Sequence, residues 1–194
     1  MTEKILITGA TGNVGKETIR KLLNSSNDQI EIIAGVRDLN KAKKLFNDDK
    51  LSFTKFDFKN KKLIKNSLKD IDRLLLIRPP AISKVQKYIH PVIKEAKSKN
   101  VKQIVFLSLQ GVENNPLVPH YKIEKLMKNL STTHKKEIKE NDEIYIPAGK
   151  GRTNFIDVRD IADVASLVLT EKNHKNKAYE ITGKESLSYY EVAN

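Results

Sequence analysis

The sequence predicts an α/β chain built on a doubly wound parallel sheet, and three observations carry that expectation. Short β-branched runs alternate with longer amphipathic stretches through the first two-thirds of the 194 residues. The runs are continuously apolar rather than alternating, as strands covered on both faces must be. Each is followed by apolar residues at helical spacing, which places a crossover helix between parallel neighbours.

Lys4–Thr8 opens the sheet, and Asn13–Leu23 follows with Val14, Ile19, Leu22 and Leu23 on one face of a helix. Ile30–Val36 is the second strand, Asn40–Phe46 a short helix, Leu51–Phe56 the third strand and Lys62–Leu68 a helix. Arg73–Ile77 is the fourth strand, closed by Pro79-Pro80. Ser83–Ser98 reads as a helix in which Pro91 either makes a kink or marks a second start. Val101–Ser108 is the fifth strand and His120–Asn129 the next helix. Beyond it the pattern is less regular. Lys135–Lys139 reads as helix, Glu143–Ile146 and Phe155–Val158 as short strands, and Ile161–Leu169 as a helix capped by Asp157 or Asp160. Ala178–Thr182 is expected to be a last strand, and Ser188–Asn194 to begin a helix. This divides the chain into a nucleotide-binding part, residues 1–130, and a smaller, incomplete substrate-side part, residues 131–194.

Composition narrows the chemistry. There is no cysteine, which removes disulfides, thiolate nucleophiles and cysteine-held metals. His134 and His174 stand isolated, and no His/Asp/Glu spacing suggests a metal. The N-terminus enters a strand directly and no apolar run nears the length of a membrane span, so a cytoplasmic protein is expected. The net charge is +12. It resides in lysines spread along helix faces among acidic residues. The arginines are only Arg20, Arg37, Arg73, Arg78, Arg152 and Arg159. A nucleic-acid footprint should cluster and favour arginine and aromatics, so a solvated surface is the better reading.

The most informative segment is Thr8-Gly9-Ala10-Thr11-Gly12-Asn13-Val14-Gly15, between the first strand and first helix. Three glycines in that context supply a tight turn, let the backbone approach a diphosphate and allow close helix–strand packing. The amides and dipole at the helix N-terminus then hold the anion. The missing Gly-Lys-Ser/Thr ending argues against a nucleoside-triphosphatase loop. A Rossmann-type dinucleotide-binding domain follows. At the end of strand two, Arg37 offers a fork suited to a 2′-phosphate, with Lys41 nearby, while Asp38 either binds a ribose hydroxyl or caps the next helix. NADP(H) is therefore expected over NAD(H). Ile77 and Arg78, at the carboxyl end of strand four, should border the cofactor; Arg78 either reaches a phosphate or is a turn arginine.

The Gly-x-x-Gly-x-x-Gly spacing resembles the extended and atypical short-chain dehydrogenase/reductases, and within them the NmrA-like branch with its NADPH-dependent quinone-reductase type. Ala34-Gly35-Val36-Arg37-Asp38, Ser108-Leu109-Gln110-Gly111-Val112 and Asn154-Phe155-Ile156-Asp157-Val158-Arg159-Asp160-Ile161-Ala162 extend the resemblance over nearly the whole chain. It implies hydride transfer from NADPH to a quinone or another small carbonyl or azo acceptor. Ser108, Tyr121 and Lys125 resemble the short-chain dehydrogenase catalytic set: tyrosine as proton donor, lysine stabilising its phenolate, serine orienting the substrate carbonyl. His120 is the alternative proton relay. Relatives also carry a sixth strand after the Tyr-Lys helix and further C-terminal helices. Here about twenty residues look removed at Lys128–Asn129, and the resemblance stops at Tyr190-Glu191-Val192-Ala193-Asn194. Both differences fall on the substrate side. They keep open a second reading, a redox-sensing regulator that binds NADP(H) and acts through a protein partner. Expected partners are thus a small-molecule substrate and a possible homodimer or regulatory protein, with neither nucleic acid nor membrane.

Overall fold

The computed structural model describes residues 2–25, 29–109, 112–130 and 152–188. Five parallel strands form its main sheet: β1 (Glu3–Thr8), β2 (Ile30–Val36), β3 (Leu51–Lys55), β4 (Arg73–Leu76) and β5 (Gln103–Phe106). Their spatial order is β3-β2-β1-β4-β5. The order reverses between β1 and β4, and ligands of such sheets bind beyond the strand ends at that switch point. Register holds the two ends level, with Ile7 opposite Ala34 on one side and Leu75 on the other.

Alternate side chains of each strand feed two separate cores. Leu6, Ile33, Leu74 and Leu76 join Ile64 of α3 (Lys61–Ser67), Val85 of α4 (Val85–Tyr88), Val92, Ile93 and Ala96 of α5 (His90–Ser98), and Ile123 of α6 (Pro119–Leu130). Ile5, Ile7, Ile32, Ala34 and Leu75 face the other way, onto Ile19 and Leu22 of α1 (Asn13–Asn24), Ala42 of α2 (Leu39–Phe46) and Leu169 of α7 (Val158–Thr170). This period-two division is what a sheet covered on both faces requires. Helix α7 lies along α1 and is tied to the sheet at its far end, where Arg73 Nη1 donates to Leu169 O at 2.7 Å.

Several boundaries differ from the sequence expectation. The stretch 83–98 is two helices, broken at Ile89, with Pro91 in the first turn of the second. Proline has no N–H to continue a helix but fits its first turn, so a second start wins over a kink. Strand β5 ends at Phe106, leaving Ser108 just beyond it. Residues Phe155–Val158, expected as a strand, are not one: Asp157 caps α7 through its bond from Arg159 N at 2.8 Å, and the strand β6 (Arg152–Asn154) ends just before them. Residues Ala178–Thr182 are not a strand. That stretch is mostly exposed, follows the left-handed Asn173 and Asn176, and lacks the buried face a strand needs. Pairing with β6 instead falls to β7 (Ser186–Ser188), antiparallel. The expected helix at Lys135–Lys139, the strand at Glu143–Ile146 and all but the first residue of the turn at Ser188–Asn194 lie outside the described residues. No described helix is long and apolar enough to cross a membrane.

Candidate active site

The three glycines of the β1–α1 loop take three different parts. Gly9 sits at φ +62°, a left-handed conformation that side chains disfavour, and makes the turn. Gly15 is buried, and a Cβ there would stand 2.4 Å from Gly9 O and 2.9 Å from Ala10 Cα. It is the point of closest approach between helix and loop. Gly12 is exposed, and a Cβ on it would meet only Gly9 O, at 3.2 Å. Its outer side is open, as backbone that receives a ligand must be.

Gly12 is also the N-cap of α1, with no side chain capping the helix. Its own amide donates to Gly9 O at 2.9 Å, and the first amide to find an intrahelical acceptor is that of Lys16, on Gly12 O. Helix geometry leaves the amides of Asn13, Val14 and Gly15 without carbonyl partners, aimed outward from the loop. An uncapped N-terminus over an open glycine is a cradle for an anion. No metal-like cluster of His, Asp and Glu exists among the described residues.

Thr8 does not face the cradle. It is fully buried, its hydroxyl accepts from Ile77 N at 2.9 Å, and it donates toward Leu75 O and Ile77 O, each at 3.2 Å. Its part is to lock the end of β1 to the end of β4 across the switch point. Ile77 in turn packs over Gly9, where an added Cβ would lie 3.2 Å from its side chain. Ala10 is buried beneath the loop, whereas Thr11 and Asn13 are exposed on it and Val14 is half-buried.

At the end of β2, Arg37 is exposed and makes no ion pair or hydrogen bond among the described residues. Asp38 takes the capping role of its two alternatives: it is the N-cap of α2, and its Oδ1 accepts from Lys41 N at 3.0 Å. The Lys41 amide is therefore engaged, while its side chain is exposed beside Arg37 in sequence. Arg78 behaves as a turn arginine. Its Nη1 donates to Pro79 O, Pro80 O and Ile82 O at 2.9, 3.0 and 2.7 Å, gathering the loop after β4 around itself. Its Nε is buried without a partner among the described residues, and burial lowers its affinity for its proton.

The end of β5 and the start of α6 form the second polar centre. The Ser108 hydroxyl donates to Glu124 Oε1 at 2.5 Å. Its bond is thus to a carboxylate, not to Tyr121. Tyr121 is half-buried and Lys125 exposed; neither makes a hydrogen bond or ion pair among the described residues. On the helix surface Glu124 falls between His120 and Tyr121, one turn before it. His120 is buried and stacked on Phe106, with ring centroids 5.7 Å apart. Burial first, and then the charge of Arg78, push its imidazole below the ordinary histidine value, so it is neutral near pH 7. Glu124 was missed by sequence reasoning. No local spacing announces it, since its partner lies sixteen residues away, and its only sequence signal is an acid on a lysine-rich helix face.

With this geometry in place, the comparisons with known proteins are decisive for the family. A profile of the NAD(P)H-binding family matches residues 9–146. The chain belongs to that family. It is 32% identical over 206 residues to Prestalk A differentiation protein A of Dictyostelium discoideum, covering 97% of this chain and 67% of that protein. It is 31% identical over 213 residues to the NAD(P)H azoreductase of Xenophilus azovorans, covering 97% and 71%. Both alignments are longer than the chain itself, so these relatives carry internal residues that it lacks. The fold matches the NADPH-dependent quinone oxidoreductase of Escherichia coli, solved in complex with NADPH, at a TM-score of 0.79, 23% identity, and coverage of 97% and 72%. The family member described here thus has a Rossmann-type sheet and azoreductase and quinone-oxidoreductase relatives.

Proposed function

We propose that this family member is an NADPH-preferring oxidoreductase that reduces a quinone or another small carbonyl or azo compound. The observation that carries the reading is the uncapped N-terminus of α1, with Gly12 open in front of it and Gly15 closed behind. The backbone amides of Asn13, Val14 and Gly15 would take the diphosphate. Arg37, exposed and unpaired among the described residues, would take a 2′-phosphate, with Lys41 adding charge. Ile77 would border the cofactor, and the family's bound nicotinamide supplies the hydride. Tyr121 would donate the proton that completes the reduced acceptor, with Lys125 one turn along stabilising the phenolate left behind. The names of the azoreductase and quinone oxidoreductase relatives support the acceptor class.

In this reading residues 1–130 bind the nucleotide and residues 131–194 border the substrate. The test mixes the protein with NADPH and a panel of quinones, aldehydes and azo dyes and follows nicotinamide absorbance. Turnover with any of them sustains the reading. Tight NADPH binding with no turnover would replace it with a cofactor-sensing regulator.

A further inference from the structure

Ser108 lies just past the carboxyl end of β5, on the edge of the sheet where ligands of this fold bind. A serine hydroxyl has one proton to give and two lone pairs. Here the proton is given to Glu124, on the α6 surface between His120 and Tyr121. While Glu124 is a carboxylate it can only accept, so the bond cannot run the other way. Ser108 therefore meets a substrate with lone pairs alone. This reverses the part a serine plays when it orients a carbonyl.

We propose that Glu124 is a positioning residue that sets the polarity of Ser108 and so makes this side of the site select a group bearing its own proton, a hydroxyl or N–H. This deepens the oxidoreductase reading and rests on it. In substrate terms, the Ser108 side would bind a hydroxylated or amino-bearing aromatic, leaving Tyr121 to face the carbonyl or azo group being reduced.

The experiment measures equilibrium binding to the NADP+-loaded protein, in which a ketone is not turned over. The probes are 2-naphthol, which donates a hydrogen bond, and 2-acetonaphthone, which only accepts. The native protein should prefer the naphthol at pH 8. Glu124→Ala should tighten the ketone by roughly five- to tenfold, the worth of one freed donor, and weaken the naphthol's advantage. Ser108→Ala should leave both probes without discrimination. Opposite shifts for donor and acceptor are not what a merely structural carboxylate would produce. If both probes weaken alike in Glu124→Ala, or the preference survives Ser108→Ala, the proposal is overturned while the oxidoreductase reading stands. If neither probe binds the native protein, the aromatic-acceptor reading falls and takes this one with it.

Discussion

The two polar centres on the carboxyl edge of the sheet are made of different materials. Around α1 the groups offered to a ligand are backbone amides, and side chains matter by being absent: Gly12 clears the approach and Gly15 lets the helix close on Gly9. Around β5 and α6 the offered groups are side chains, and what each can do depends on its partner, as Ser108 depends on Glu124. A backbone site is fixed once the loop folds and tolerates change at its rim. A side-chain site can be re-pointed by one substitution with the fold untouched.

The largest effect should come from Gly15→Val. A Cβ at 2.4 Å from Gly9 O meets backbone that cannot give way without opening the loop. A loss of at least about 3 kcal/mol in unfolding free energy is expected, at the upper end for overpacked sites. Denaturant unfolding measures it, and nucleotide binding should go with it. Gly12→Val is the sharper companion. Its Cβ would meet only Gly9 O, at 3.2 Å, against 2.4 Å at Gly15, so the melting temperature should stay within a few degrees of native while NADPH affinity drops by about tenfold or more. Titration of intrinsic or nicotinamide fluorescence checks it. Unchanged affinity in a folded Gly12→Val protein would remove the cradle from the account.

The same contrast explains what could be read before the structure was in hand. The glycine triplet and the first four strands were legible because they depend on local requirements: a positive φ, a missing Cβ, an unbroken apolar run. Asp38 was legible as a capping candidate because a cap lies three residues from the amide that donates to it. Glu124 was not, because sixteen residues and a strand–helix packing separate it from Ser108. The Thr8 hydroxyl, spent on β4 some 67 to 69 residues away, is illegible for the same reason. So is the division of Ile5 and Leu6 between two cores, until the helices are placed. The failed strand at Ala178–Thr182 shows the converse: a β-prone local pattern with no pairing neighbour among the described residues stays irregular.

Arg37 tests the boundary between the two kinds of site, since it is a side chain serving the backbone-built end. Arg37→Ala should weaken NADP+ by about tenfold, the worth of a lost charge-assisted contact, and leave NAD+ unchanged. Parallel titrations with the two nucleotides measure it. Equal losses for both would place Arg37 away from the 2′-phosphate.

The smallest effect belongs to the opposite, amino edge of the sheet, where charges hold strands rather than ligands. Asp72, just before β4, accepts from Lys4 N at 2.9 Å and pairs with Lys102 Nζ at 2.8 Å. Beside it Arg73 pairs with Glu3 at 2.8 Å. The Lys102 ammonium first, then the Lys4 amide, hold the Asp72 carboxyl below its ordinary value against the cost of its burial. A carboxyl depressed in the folded state adds stability above its unfolded value and loses it as the pH falls through the folded one. Asp72→Asn should therefore lower stability by less than about 1 kcal/mol at pH 7, because the pair is largely solvent-screened. The deficit should hold steady down to about pH 4 and close in stronger acid. Thermal unfolding of both proteins from pH 7 to pH 2 reads this directly, and NADPH affinity should not change. A deficit that grew in acid would mean the carboxylate opposes the fold. A fall in affinity would mean the two edges of the sheet are coupled.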